Sequence, residues 1–225
     1  MNKKQKTAIV NYLKEFVSEA RNQRIEEVLN QRTRHIAVVL ENLFQSHNVS
    51  AVLRSADCFG VQDVHIVEKD FDTPVHSQIA LGSDKWLTIN RYNTSEKSLE
   101  HCILNLKSKG YKIVATLPHE KDGMLGDFDY TQKTALLFGT ELHGLSPEAV
   151  DLADAYLKIP LYGFTESFNI SVSAAIVMYQ LTEKLRQSSV EWQLSEEEKI
   201  DLHLEWLKKS IKTPDLIIEN YLKNQ

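Results

Sequence analysis

Six short runs rich in β-branched, leucine and aromatic residues recur between residues 36 and 161, with helically spaced segments between most of them. The runs are IAVVLENL (36–43), DVHIVE (63–68), WLTINRY (86–92), YKIVATL (111–117), TALLFG (134–139) and AYLKIPL (155–161). Helical spacing marks residues 49–59, 96–109, 147–153 and 170–186. This alternation restricts the chain to an α/β domain with a mostly parallel sheet, because parallel neighbours need a crossover about as long as a helix. Runs such as ALLF are apolar at every position, which suits strands covered by helices on both faces. In open sheets of this kind ligands bind beyond the carboxyl ends of the strands. Four segments are expected there: ENLFQSHN, TLPHEKDG, FGTELHG and PLYGFTESFN.

On either side of this middle the pattern is helical only. Ile9, Leu13, Phe16, Val17 and Ala20 recur at helical spacing, and Ile25, Val28 and Leu29 continue the stripe. Near the other end, SEEEKIDLHLEWLKKSI opens with a capping box from Ser195 to Glu198 and sets Ile200, Leu204, Leu207 and Ile211 on one face. Thr213-Pro214 then suits the cap and first turn of a last short helix. The expected parts are a helical extension over 1–33, an α/β domain over 34–187 and a second helical extension over 188–225.

Net charge is −5, but it is unevenly spread: residues 1–35 hold eight Lys/Arg against four Glu, and residues 36–185 hold twelve against nineteen acids. A basic arm on an acidic body suits phosphate contact and equally suits a solvated helix face. No apolar run approaches the length of a membrane span, and MNKKQKTAIVNYLKEF lacks the pattern of a signal peptide. Cys58 and Cys102 have no metal-ligand spacing and read as reduced core thiols. A cytoplasmic protein without membrane or DNA partners and without a metal is expected.

Three polar stretches sit where ligands would bind. GTELHGLS has the glycine spacing of a phosphate loop, but Leu145 stands where the phosphate-binding Lys belongs, so that reading fails. What remains is a strand, a turn carrying Glu141, and a helix that Ser146-Pro147 can cap. SHNVSAVLRSADCFG places Asn48 before a helix whose buried face is Val49, Val52, Leu53 and Ala56. Its plainest reading makes Asn48 the cap and pairs Arg54 with Asp57. In ESFNISVSAAIVMYQL, Asn169 or Ser167 caps a helix with small residues Ser171, Ser173, Ala174 and Ala175, which allow close approach of a helix or a ligand. No G-x-G-x-x-G, H-E-x-x-H or G-x-S-x-G occurs, which argues against dinucleotide, zinc-protease and hydrolase chemistry.

Taken in order, LENLFQSHNVSAVLRSADCFGVQDVHIV, ALLFGTELHGLSPEAVDLADAYLKIP and SFNISVSAAIVMY resemble the three motifs of the SPOUT superfamily of S-adenosylmethionine-dependent RNA methyltransferases. Within it the chain resembles the TrmH-type tRNA guanosine 2′-O-methyltransferases, from about Glu19 to about Met178. The resemblance implies a deep trefoil knot at the C-terminal side of the domain, a homodimer, and methyl transfer to a ribose 2′-hydroxyl. The D-loop guanosine of tRNA, position 18, is the substrate expected of this type; rRNA, the tRNA wobble nucleotide, or RNA binding without catalysis are the alternatives. By the same resemblance Arg54 activates the hydroxyl, and Asn48, Glu141, Ser167 and Asn169 position it or the donor. Thr116, Leu117, Gly139, Ile159, Leu161 and Phe168 would hold S-adenosyl-L-methionine, and Arg21, Arg24, Arg32 and Arg34 match the arm that contacts tRNA. Gln45 stands where a basic residue often precedes the first motif's turn, and Glu166-Ser-Phe replaces Gln-Ser-Leu in the third.

Overall fold

The computed structural model describes residues 1–69, 74–93, 97–118 and 123–223. Residues 119–122 of the TLPHEKDG segment, and Glu96 at the start of a predicted helix, lie outside that set. The elements run α1 (Lys3–Leu13), α2 (Glu19–Leu29), β1 (Thr33–Glu41), α3 (Ser46–Phe59), β2 (Val61–Val67), α4 (Ser77–Ala80), β3 (Thr88–Tyr92), α5 (Ser98–Ser108), β4 (Lys112–Thr116), β5 (Thr134–Phe138), α6 (Pro147–Leu152), β6 (Ala155–Leu157), α7 (Ile170–Arg186), α8 (Glu196–Ser210) and α9 (Pro214–Lys223). They divide into two compact units: Arg34–Trp192, and Met1–Thr33 together with the chain from Gln193 onward.

In the larger unit the six strands of the described residues form one sheet in the order β3-β2-β1-β5-β4-β6. The pairs β1–β5, β4–β5, β4–β6 and β2–β3 are parallel. The all-apolar strands follow from a strict division of labour between alternate residues. Ile36, Val38 and Leu40 of β1, with Leu136 and Phe138 of β5, face α3 and α7. Ala37, Val39, Ala135 and Leu137 face α5 and α6. Alternate side chains of a strand point to opposite faces, so both helix layers are anchored by the same two central strands. Each fully buried Val or Leu contributes about 1.5–3 kcal/mol by leaving water.

Helices α3 and α7 pack on each other in the first layer. Ala56 and Ala174 have no exposed surface there, which is the close approach that the small residues of the third motif allow. At the far end of α3, Gly60 (φ 77°) turns the chain into β2. Arg186 of α7 donates to the Phe59 carbonyl at 2.8 Å and lies 5.4 Å over the Trp192 ring, so the last turn of α7 holds the end of α3. Cys102 is buried as expected, but Cys58 is exposed on α3 rather than in the core.

The smaller unit buries Ile9, Val10 and Leu13 of α1, Ile25 and Leu29 of α2, and Leu202, Trp206 and Leu207 of α8. The capping box of α8 forms as expected, Ser195 Oγ accepting from the Glu198 amide. The buried stripe of α8 keeps only Leu207 of the expected face. It centres on Leu202, His203, Trp206 and Leu207, while Ile200, Leu204 and Ile211 are only partly buried. Trp206 carries the largest apolar area on the helix and draws its own arc inward, with the Arg32 guanidinium 5.3 Å from its ring. Phe16, also expected in the stripe, is 44% exposed.

Candidate active site at the carboxyl ends of the strands

The first turn of α3 departs from the plainest reading of its sequence. The helix starts at Ser46, with Gln45 as its cap, and Gln45 makes no capping side-chain bond. Asn48 is therefore inside the first turn, 7% exposed, and its side chain is released from capping. Asn48 Nδ2 donates to Gln45 Oε1 at 3.3 Å and to Glu141 Oε1 in a short bond. Asn48 Oδ1 accepts from Asn169 Nδ2 at 3.3 Å. Asn169 is the cap of α7, and its Oδ1 accepts from the Ser171 amide at 2.9 Å and the Ser171 hydroxyl at 2.6 Å. One chain of amide groups thus runs from α7 through α3 to a carboxylate, joining the three polar stretches. Both functional ends of the buried Asn48 amide are satisfied, which removes the penalty of burying it.

The loop bearing Glu141 is built for close approach. Thr140 and Gly144 exchange backbone hydrogen bonds of 2.8 and 2.9 Å, closing a tight turn around Glu141. A Cβ on Gly139 would stand 2.1 Å from the carbonyl carbon of Gly144, so only glycine fits at that position. Ser146 caps α6 as expected, accepting from the Ala149 amide at 3.1 Å. It is also gripped by Glu41, whose buried carboxylate accepts from the Ser146 amide at 2.9 Å and hydroxyl at 2.5 Å. A carboxylate directly after the apolar run IAVVL was the one signal in the sequence that could have pointed to Glu41.

The loops toward β6 are sewn together by backbone. Leu117 N donates to Leu157 O at 3.0 Å, Lys158 N to Gly123 O at 2.8 Å and Leu125 N to Lys158 O at 2.9 Å. Helix α7 braces them, Lys184 donating to Gly126 O and Gln180 to Leu125 O. Thr116 Oγ1 donates to Leu137 O at 2.7 Å, so its hydroxyl is spent on the sheet. Ile159 and Leu161 are half-buried, and Phe168 is 42% exposed. The amides of Ile159 and Leu161, on either side of Pro160, make no hydrogen bond among the described residues.

A protein-family model, the SpoU rRNA Methylase family, matches residues 35–179. A tRNA (guanosine(18)-2′-O)-methyltransferase of Borreliella burgdorferi is 42% identical over 96% of this chain and 96% of its own. The enzyme of the same name from Thermus thermophilus is 39% identical over 72% of this chain and 82% of its own. Among solved structures, the A. aeolicus TrmH/SpoU tRNA modifying enzyme superposes with a TM-score of 0.77 at 31% identity, covering 87% of this chain and 98% of that one. The chain belongs to the SpoU methylase family.

In this SpoU chain the expected site residues do not all meet. Asn48, Glu141 and Asn169 are hydrogen-bonded together, while Arg54 and Ser167 are exposed and stand outside that network. Arg54 makes no ion pair among the described residues, and the expected Arg54–Asp57 pair is not formed. The four arginines separate too. Arg24 is exposed, paired with Glu27 at 3.3 Å, and Arg21 is exposed on the same helix. Arg32 is 1% exposed beneath Trp206, so it has no surface to offer a phosphate. Arg34 is partly buried, its Nε 3.4 Å from Asp63 and its Nη2 donating to Thr88 at 3.3 Å. Sequence reasoning also missed His76, which shares a 2.7 Å hydrogen bond with Ser46 and stacks on His47 at 4.8 Å, steadying the first turn of α3.

Proposed function

We propose that this chain transfers the methyl group of S-adenosyl-L-methionine to the ribose 2′-hydroxyl of guanosine 18 in tRNA. The observation that carries the reading is the hydrogen-bond chain from Asn169 through Asn48 to Glu141, which draws one residue from each motif to a single point. Likeness to the B. burgdorferi enzyme over nearly the whole of both chains, helical ends included, supports tRNA over rRNA or the wobble nucleotide.

The loops fit the donor. Backbone groups of Leu117, Gly139, Ile159 and Leu161 would hold its adenosine and Phe168 would cover it, the unbonded amides of Ile159 and Leu161 being the available donors. Thr116 acts one step back, fixing the strand end through Leu137. Bound there, the donor supplies an electrophilic methyl on a sulfonium. The rest falls to the protein. A ribose hydroxyl is a weak nucleophile until its developing negative charge is stabilised. The Arg54 guanidinium, free of carboxylates among the described residues, stabilises that charge and grips the adjoining phosphate, the hydroxyl's proton passing to solvent as the methyl leaves the sulfonium. Ser167, exposed and without a hydrogen-bond partner among the described residues, orients the hydroxyl or donor. Glu141, Asn48 and Asn169 hold the loops in register, since alignment supplies much of the rate of a displacement.

Segment 158–169 is read as threaded through a trefoil knot. Exposed Tyr162, Phe164, Val172 and Tyr179 form the apolar face of a cytoplasmic homodimer. Arg21 and Arg24 carry the tRNA contact of the helical arm. Mass spectrometry of nucleosides from tRNA, with and without the gene, tests the reading. Loss of 2′-O-methylguanosine mapped to position 18 is expected. Methylation found only in the anticodon loop or on rRNA would overturn the substrate.

A further inference from the structure

Beyond the carboxyl ends of β1, β2 and β5, on the α5 and α6 side of the sheet, lies a cavity of about 330 Å³. Nothing in the methyl-transfer reading uses it. Its lining includes apolar Val67, Leu99 and Leu145, all members of the core on that face. Lys69 and Glu148 also line it. Both are exposed, and neither makes an ion pair among the described residues, with the other or with anything else. An ammonium and a carboxylate on the rim of a cavity with apolar walls and further polar groups, neither in an ion pair among the described residues, can both be met by one ligand.

Size and chemistry narrow that ligand. The volume is at the lower end of small-molecule sites, large enough for a nucleobase and too small for a whole donor with its amino-acid tail. Guanine offers two adjacent donors, N1–H and the N2 amine, which match a carboxylate. On its other edge it offers O6 and N7 as acceptors, which match a lysine. Adenine presents no such pair of donors to a carboxylate, and a pyrimidine has no N7. The position adds a functional link. Thr140, which also lines the cavity, directly precedes Glu141, so a base seated there bears on the loop that closes the Asn48 network.

We propose that this cavity is the guanine pocket through which the enzyme reads the nucleotide it methylates, Glu148 accepting from N1–H and the N2 amine and Lys69 donating to both O6 and N7. The proposal rests on the guanosine reading above. The test measures kcat/KM on tRNA transcripts carrying guanosine, inosine (no N2 amine) or 7-deazaguanosine (no N7) at position 18. The wild-type chain is compared with Glu148→Ala and Lys69→Ala, and donor affinity is followed by calorimetry. Wild type should lose about tenfold or more on inosine and on 7-deazaguanosine. Glu148→Ala should lose about as much on guanosine, become indifferent to inosine and keep its donor affinity. Lys69→Ala should become indifferent to 7-deazaguanosine. Variants that turn over guanosine 18 normally, or discriminate as wild type does, overturn the pocket while sparing the parent function. Wild-type methylation of another guanosine overturns the position alone, and the same series on that RNA still decides the pocket. Wild-type methylation of a nucleotide other than guanosine overturns both.

Discussion

Asn48 is a donor toward Glu141 and an acceptor toward Asn169, so the polarity of its amide sets the polarity of the whole network. Asn48→Asp keeps the shape and replaces the donor with a second carboxylate facing Glu141. Two carboxylates sharing a site repel, and the bond to a charged acceptor, worth about 1.5–3 kcal/mol, is lost. Urea unfolding should show a loss of about 2 kcal/mol near neutral pH, and methyl transfer should fall by about a hundredfold or more. The double variant Asn48→Asp/Glu141→Gln restores one amide opposite one carboxylate and should recover most of both, a coupling that a double-mutant cycle reads directly. Arg54 is the contrasting case. Because it is exposed and makes no ion pair among the described residues, Arg54→Ala should cost no more than about 0.5 kcal/mol in stability. Turnover should nonetheless fall by about a hundredfold or more with donor affinity within a few-fold; calorimetry showing lost donor binding in the folded variant would make Arg54 a donor residue instead.

At the scale of elements, the turn from Gly139 to Ser146 carries the most constraint in the fewest residues. Gly139→Ala forces a methyl onto the Gly144 backbone 2.1 Å away, so the turn must open and Glu141 must leave Asn48. Donor affinity should drop by about tenfold or more, as one or more backbone contacts are lost. Gly126→Ala, whose added methyl meets nothing within 4 Å, is the control and should change little. The six strands and the order of the motifs were legible because apolar runs of strand length alternate with helical spacing, and that pattern survives in a single sequence. The cap of α3 was not. Asn48 has the chemistry of a cap, and only the position of Glu141, 93 residues away, shows why the helix begins earlier and leaves that side chain for the site. The buried face of α8 departs from its periodicity for a related reason. Periodicity alone weighs Ile200 and Leu204 like Trp206, whereas the packing of Arg32 under the indole favours the larger side chain. The cavity beside Lys69 and Glu148 lies at two of the four segments expected to meet ligands, ENLFQSHN and FGTELHG, but the bringing of Lys69 and Glu148 to it was not legible, since its lining comes from segments scattered between Glu41 and Glu148.

At the scale of the whole molecule, an acidic body depends on few cations for RNA. Arg21→Ala/Arg24→Ala should weaken tRNA binding and reduce the steepness of its salt dependence by about one or two counterions, leaving donor affinity alone. Filter binding across a salt series checks this. Stability should also depend on pH. Burial holds the His65 imidazole down to about 4, against 6.5 when unfolded. The unfolded chain therefore binds the extra proton first, so stability is full above about pH 6.5 and falls as pH drops toward 4. Thermal unfolding between about pH 7 and pH 4.5 should show the midpoint falling, with a shallower slope in His65→Asn. The slope does not vanish there, because His203, also held near 4 by burial, titrates in the same window. The smaller unit has a consequence in time as well. Its α1 and α2 are made first, yet the Leu202, Trp206 and Leu207 that complete their core come only after the whole of the larger unit. At about 5–20 residues per second, the ribosome holds that amphipathic pair incomplete for roughly ten to thirty seconds, a natural window for chaperones to act on the nascent chain.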